Sequence, residues 1–561
     1  MHDLAIRNAQ ICDGTGQPMF TGQLAVTNGR IVAIDSDVGP ALTSVDAEGL
    51  VLAPGIIDNH THYDAQITWD PYASPTLGLG VTTILMGNCG FTIAPCRPAD
   101  RELTLKNLTQ VEGMSLDALL EGTRSDFETF SDYLGLLESS GVVPNVAVYC
   151  GHSSLRTWVM GADATRRHAT QSELDSMRGL LRSALDDGAI GFATSTFEGH
   201  NGWGGTPMPS RFADDIEMAA LVNTLGEADT GLFMLTKGKG SPVSKLEELA
   251  ASSGRPVAVA AVLYDHANPD RAFNDLLSIE AAAERGRRMM AQVACTPITM
   301  DFTLRGAYLF EALVSWRPAI SLYDNTQALG DFYKDGNFRD AMRAELTQAG
   351  ALNRFTDQWD KLEIVQASKP QNAHLEGQNL ADLAQQDGKH PLDWLLDFGA
   401  TENFETLFNA QIMNADETQV SKLLKSPVST IGLADAGAHL FLFCDADFGL
   451  NLLGHWVRDR GDFTLEEAVA ALTSKQADSY GIRERGRLKE GHFADMLLFD
   501  PATVGRGRKQ RVFDLPAGAS RLVRGGKGIK GIWVNGTRVA DENGVFSLES
   551  RPGHVLRSFD S

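Results

Sequence analysis

Eight short apolar runs alternating with helix-like segments, with strand-and-turn stretches at both ends of the chain, predict an α/β protein. The fold expected is a (β/α)8 TIM-like barrel with a small β-sandwich domain formed from both chain termini. A third observation agrees: each apolar run ends in polar or glycine residues, as strands do at the C-terminal face where a barrel places its active site.

The first fifty residues read as short strands, "DLAIRNAQIC" and "GQLAVTNGRIVAID", with Asn-Gly in "TNGR" as a hairpin signal. The far end reads alike, in "ADMLLFD" and "GIKGIWVNGTRVAD". One β-domain is therefore expected from residues 1–52 plus 482–561, with the barrel over 53–481. The barrel strands are expected in "LVLAPGIIDNHTH", "GVTTILMGNCG", "VVPNVAVYCGHSS", "GAIGFATST", "TGLFMLTKGKG", "RPVAVAAVLYD", "RMMAQVACTP" and "VSTIGLADAGAH". Amphipathic patterns such as "QSELDSMRGLLRSALDDG" and "DDIEMAALVNTLGEAD" fall between them as helices. The interval from about 300 to 425 reads as an insertion of helices and loops before the last strand, placed to cover a barrel mouth.

Bulk properties bound the function. The 561 residues are 43% hydrophobic, enough for a large core. Seventy-two acidic against 49 basic residues give a net charge of −23, which repels nucleic acid and anionic membranes. Six cysteines without CxxC pairs argue against a disulfide scaffold or a zinc ribbon. The start lacks the pattern of a signal peptide, and no apolar run is long enough to span a membrane. A cytoplasmic location and a small-molecule partner are expected; homo-oligomerisation stays open, since no interface is legible.

Candidate chemistry collects at the strand ends. His60 and His62 are separated by one residue after an apolar run, so both can point to one side of the chain as metal ligands; alone, a polar loop fits as well. Asp435, at the end of the last strand, would lie beside them on closure of a barrel, as metal ligand and general base, or it caps a helix. Cys89, between Gly87 and Gly90, is a ligand or an inert buried thiol. Lys237 ends the fifth strand as a rim charge, a carboxylate binder or a carboxylated lysine bridging two metals. His152 and Arg156 follow the third strand as substrate-binding candidates. His266 and His439 are further candidates for substrate contact, and with His200 form a reserve of ligands.

The segments "GLVLAPGIIDNHTHYD", "GVTTILMGNCGFTIAP", "GHSSLR", "GAIGFATST", "GLADAGAH" and "RGRLKEGHFADMLLFDP" resemble the amidohydrolase superfamily over nearly the whole chain. "MGNCGFTIAP" is similar to the D-aminoacylase (N-acyl-D-amino-acid deacylase) group. The resemblance implies a metal-dependent hydrolase of non-peptide carbon–nitrogen bonds, with one or two Zn2+ or related ions. It matches His60, His62 and Cys89 to metal ligands and Asp435 to the acid–base aspartate. The family also places ligand histidines after strands five and six, where this chain carries Lys237 and Ala261. Three readings follow: a carboxylated Lys237, a single metal held by the remaining residues, or a non-catalytic relative. Deacylation of a small N-acylated (D-)amino acid leads, with a cyclic-amide hydrolase, a deaminase or a binding protein as alternatives.

Overall fold

The computed structural model describes residues 1–111, 113–311, 313–347, 355, 357–437 and 446–560. The α/β class holds, and strands form at all eight expected places: β1 (Ile56–Asp58), β2 (Val81–Met86), β3 (Asn145–Val148, resuming at Cys150–Gly151), β4 (Gly191–Ser195), β5 (Leu232–Thr236), β6 (Val257–Ala260), β7 (Met289–Val293) and β8 (Ser429–Ile431). Each pairs in parallel with the next in sequence. A parallel bridge between Thr61 and Ala436 joins the segments that follow β1 and β8. Every residue of β2, β4, β5, β6 and β7 is buried. Parallel strands covered on both faces are apolar throughout rather than alternating, which is why these runs read so plainly.

Helices follow the strands: α1 (His152–Met160), α2 (Gln171–Asp186), α3 (Asp215–Ala228), α4 (Val243–Ser253), α5 (Arg271–Glu284), α6 (Glu417–Lys425) and α7 (Ser474–Tyr480). The two segments expected to be helical are α2 and α3. Thr170 and Glu173 form a reciprocal capping box at the start of α2, and the Asp214 carboxylate accepts the Glu217 N–H at the start of α3.

Five N-terminal strands between His2 and Pro54 share one nine-stranded sheet with four C-terminal strands between Met496 and Val545. The seam is the antiparallel pair Val51–Pro54 with Met496–Phe499. Both Asn-Gly turns have left-handed backbone at each central residue: Asn28 (φ 52°) and Gly29 (φ 74°), Asn535 (φ 47°) and Gly536 (φ 79°). The two turns touch. A Cβ on Gly29 would lie 2.8 Å from the Asn535 carbonyl oxygen, so a side chain cannot be added there without displacing backbone.

The segment from about 300 to 425 holds helices, as expected, among them Gly336–Leu346 and Pro391–Thr401, and adds a sheet that was not expected. Ile298–Phe302, Leu362–Gln366 and Leu407–Met413 form an antiparallel sheet with Leu407–Met413 in the middle. Met300, Phe310, Trp316, Tyr333 and Phe408 belong to a hydrophobic core separate from the main one. A hairpin of Gly505–Val512 and Arg521–Lys527 reaches this unit, where Leu522 packs on Val365 and Leu407 and Arg508 pairs with Glu376.

Candidate metal centre

The segment after β1 turns its side chains inward at one end of the parallel strands. His60 and His62 are buried, as is Cys89 after β2, and a nitrogen of each ring and the sulfur all lie within 4.8 Å of one another. The Cys89 Sγ is 3.5 Å from His60 Nε2 and 3.0 Å from the Thr236 hydroxyl at the end of β5. Asp435, after β8, places Oδ1 3.1 Å from His60 Nε2 and 3.5 Å from His62 Nε2. Two imidazoles, a thiol and a carboxylate thus converge from β1, β2 and β8. Two nitrogens and one sulfur suit zinc, and a three-residue set leaves a coordination position open to water or substrate.

The backbone is bent to achieve this. Cys89 (φ 57°), Leu433 (φ 54°) and Asp435 (φ 47°) all take the left-handed conformation, which for a bulky non-glycine residue costs about 1–3 kcal/mol. Gly437 (φ 87°) follows, and a Cβ there would approach the His62 backbone to 2.9 Å. The His62 N–H donates to the Ala436 carbonyl at 2.8 Å, locking the two segments together. Asp435 does not cap the helix Phe448–Asn451, whose N-cap position is held by Asp447.

Around the centre, Asp64 accepts the Gly87 N–H at 3.0 Å and so fixes the turn that carries Cys89. Burial pushes the Asp58 carboxyl up to about 8, with the Asp435 charge adding to the effect while a backbone hydrogen bond from His60 and the nearby His62 oppose it. Burial likewise pushes the Cys89 thiol up. The Phe91 ring lies 6.4 Å from that of His62 and 5.0 Å from that of His200, so the β4 loop reaches the centre's edge.

Several expected residues lie elsewhere. Lys237 does not join the cluster: its Nζ pairs with Asp275 of α5 at 3.0 Å, while the preceding Thr236 faces Cys89. Successive strand side chains point to opposite faces, so a residue next to the inward Thr236 points outward. His152 and Arg156 are fully buried and meet Glu217 of α3, His152 Nε2 at 2.8 Å and Arg156 Nη1 at 2.5 Å. Both are committed to that internal carboxylate rather than to a substrate. His266 is exposed in the turn that starts at Asp265. His439 lies outside the described residues. Sequence reasoning missed Thr236 and Gln292; the Gln292 Oε1 is 2.7 Å from His60 Nδ1 across 232 residues of chain, a contact with no local signature.

A profile of the amidohydrolase family matches residues 43–289 and 342–540. The chain belongs to this family. Among its relatives, an N-acyl-D-aspartate deacylase of Alcaligenes xylosoxydans xylosoxydans is 28% identical over 581 residues, covering 100% of this chain and 96% of that protein. A solved D-aminoacylase, described by a binuclear metal centre with one-metal activation and second-metal attenuation, is 26% identical with a TM-score of 0.66 over 100% of both chains. The N-acyl-D-glutamate deacylase of Bordetella bronchiseptica, solved with zinc and a phosphonate mimic of the tetrahedral intermediate, is 25% identical with a TM-score of 0.67. That match covers 99% of this chain and 100% of the other.

Proposed function

We propose that this chain hydrolyses the amide bond of a small N-acylated D-amino acid, using a single divalent metal held by His60, His62 and Cys89. The observation that carries the reading is the convergence of these three side chains with Asp435 at one buried point. The deacylase relatives, similar over nearly their whole length, support the substrate class. When bound, the metal supplies a Lewis acid and a water of lowered pKa, near about 7. The Asp435 carboxylate, beside both ligand imidazoles, accepts the proton of the attacking water and returns it to the departing amine. The Thr236 hydroxyl, 3.0 Å from the Cys89 sulfur, is placed to donate to the thiolate form that binds metal. Lys237 and Ala261 stand where the family resemblance implies ligand histidines after β5 and β6, which supports one metal rather than two. The pairing of Lys237 with Asp275 removes the main support for a bridging lysine and for the cyclic-amide reading.

The frame proposed for this site is a (β/α)8 barrel closed by β1 and β8, over residues 53–481, with the insertion at about 300–425 covering the mouth. The Thr61–Ala436 bridge supports closure. The terminal sheet, with a core of Leu4, Ile6, Leu24, Leu498 and Trp533, supports a small β-domain of sandwich type from residues 1–52 and 482–561. No helix among the described residues is long and apolar enough to cross a membrane. The five described cysteines are free thiols, which supports a cytoplasmic location.

The test is a hydrolysis screen of zinc-loaded protein against N-acyl-D-amino acids, their L-enantiomers and cyclic amides. Release of free D-amino acid, absent from His60→Ala, is the expected result. A wild-type protein that binds no metal and turns over none of these compounds overturns the reading.

A further inference from the structure

Gln292, on β7, is fully buried and belongs to none of the groups that converge on the metal. Its Nε2 lies 2.8 Å from the Tyr480 hydroxyl and 3.3 Å from the Asn59 backbone carbonyl. A carbonyl oxygen can only accept, so the amide NH2 end of Gln292 must face Asn59. Its Oε1 then faces His60 Nδ1 at 2.7 Å, and since Oε1 can only accept, Nδ1 must carry the proton. The other ring nitrogen, Nε2, is turned toward Cys89 and Asp435.

The amide is itself held on several sides. The Tyr480 hydroxyl, on α7, lies 3.4 Å from the Thr430 hydroxyl on β8. The Asn59 side chain accepts the Leu433 N–H at 3.2 Å and donates to Gln476 of α7 at 2.8 Å. Gln476 in turn donates to the Ile431 carbonyl. Asn59, His60, Gln292, Thr430, Gln476 and Tyr480 are all buried, so solvent does not compete for these bonds. We infer that Gln292 is a positioning residue that fixes His60 as the Nδ1–H tautomer and aims Nε2 at the metal. The inference rests on the metal reading above, but the proton it assigns to Nδ1 is required by the Gln292 contacts in the metal-free protein as well.

Outer partners of this kind are worth about 10- to 100-fold in metal affinity. The test combines Zn2+ affinity, by competition with a chelating indicator, and the 15N signals of His60, assigned by comparison with His60→Gln. Wild-type protein should show a protonated Nδ1 with or without zinc. Gln292→Leu should lose that signature and bind zinc about 10- to 100-fold more weakly. Gln292→Glu, which keeps an acceptor for Nδ1, should recover most of the affinity. A wild-type Nδ1 without a proton overturns the inference even if Gln292→Leu fails to fold, and so does unchanged zinc affinity in a folded Gln292→Leu. Wild-type protein that binds no zinc yet shows the Nδ1–H signature overturns the metal reading and with it the aiming of Nε2 at a metal, and leaves only the Nδ1 proton assignment standing.

Discussion

Thr236 and Lys237 are neighbours at the end of β5, and only one of them can face Cys89. From the sequence, "LTKGKG" offers the lysine as the more reactive group, but a one-residue offset in strand register moves every side chain to the other face. That parity is what the sequence could not resolve, whereas His60, His62, Cys89 and Asp435 were legible because each ends a plainly apolar run. Replacing Lys237 with Ala should leave metal content unchanged by elemental analysis and lower stability by no more than about 1 kcal/mol, since its pairing with Asp275 is partly exposed. Asp435→Asn should keep the fold and reduce kcat by roughly 100- to 10,000-fold, read from steady-state kinetics on an N-acyl-D-amino acid.

At the scale of elements, α1 and α3 are joined through a buried carboxylate. Glu217 meets both His152 and Arg156, and Arg156 also donates to the Ala164 and Arg167 carbonyls. Burial opposes the charge on Glu217, but His152 and Arg156 outweigh it and hold the carboxyl near about 2. Burial pushes His152 down, against the pull of Glu217. Both groups therefore bind fewer protons folded than unfolded, and stability falls as pH drops. The loss should begin below 6.5 as unfolded-state histidine takes up its proton, then continue from about 4.5 toward 2 as Glu217 is titrated. Denaturant titrations across this range on wild type and Glu217→Gln should show a shallower acid slope in the variant. Glu217→Ala should cost about 3–5 kcal/mol at neutral pH, because it strands the Arg156 charge in the interior. "GHSSLR" advertised these two side chains but not their partner, which lies 61 residues beyond Arg156 in sequence on another helix.

The whole molecule carries a second hydrophobic core between Met300 and Ala410, distinct from the one beneath the site. Its strands escaped the sequence reading because "ITMDF" and "LEIVQ" are short and sit among stronger helical patterns, and their pairing partner lies far along the chain. The eight parallel strands were legible for the opposite reason: burial on both faces leaves nothing polar to blur the run. A unit with its own core should open as its own cooperative block. Hydrogen exchange read by mass spectrometry should give residues 298–413 a protection class separate from β2, β4 and β5, and uniform protection across both would contradict this.

The paired Asn-Gly turns of the terminal sheet have a consequence for the order of assembly. Val51–Pro54 finds its antiparallel neighbour only at Met496–Phe499, and the turn at Gly29 rests on the turn at Asn535. During synthesis Val51–Pro54 must therefore keep an open edge until Met496–Phe499 has followed it. A sheet begun before the eight parallel strands is thus completed only by strands that follow them.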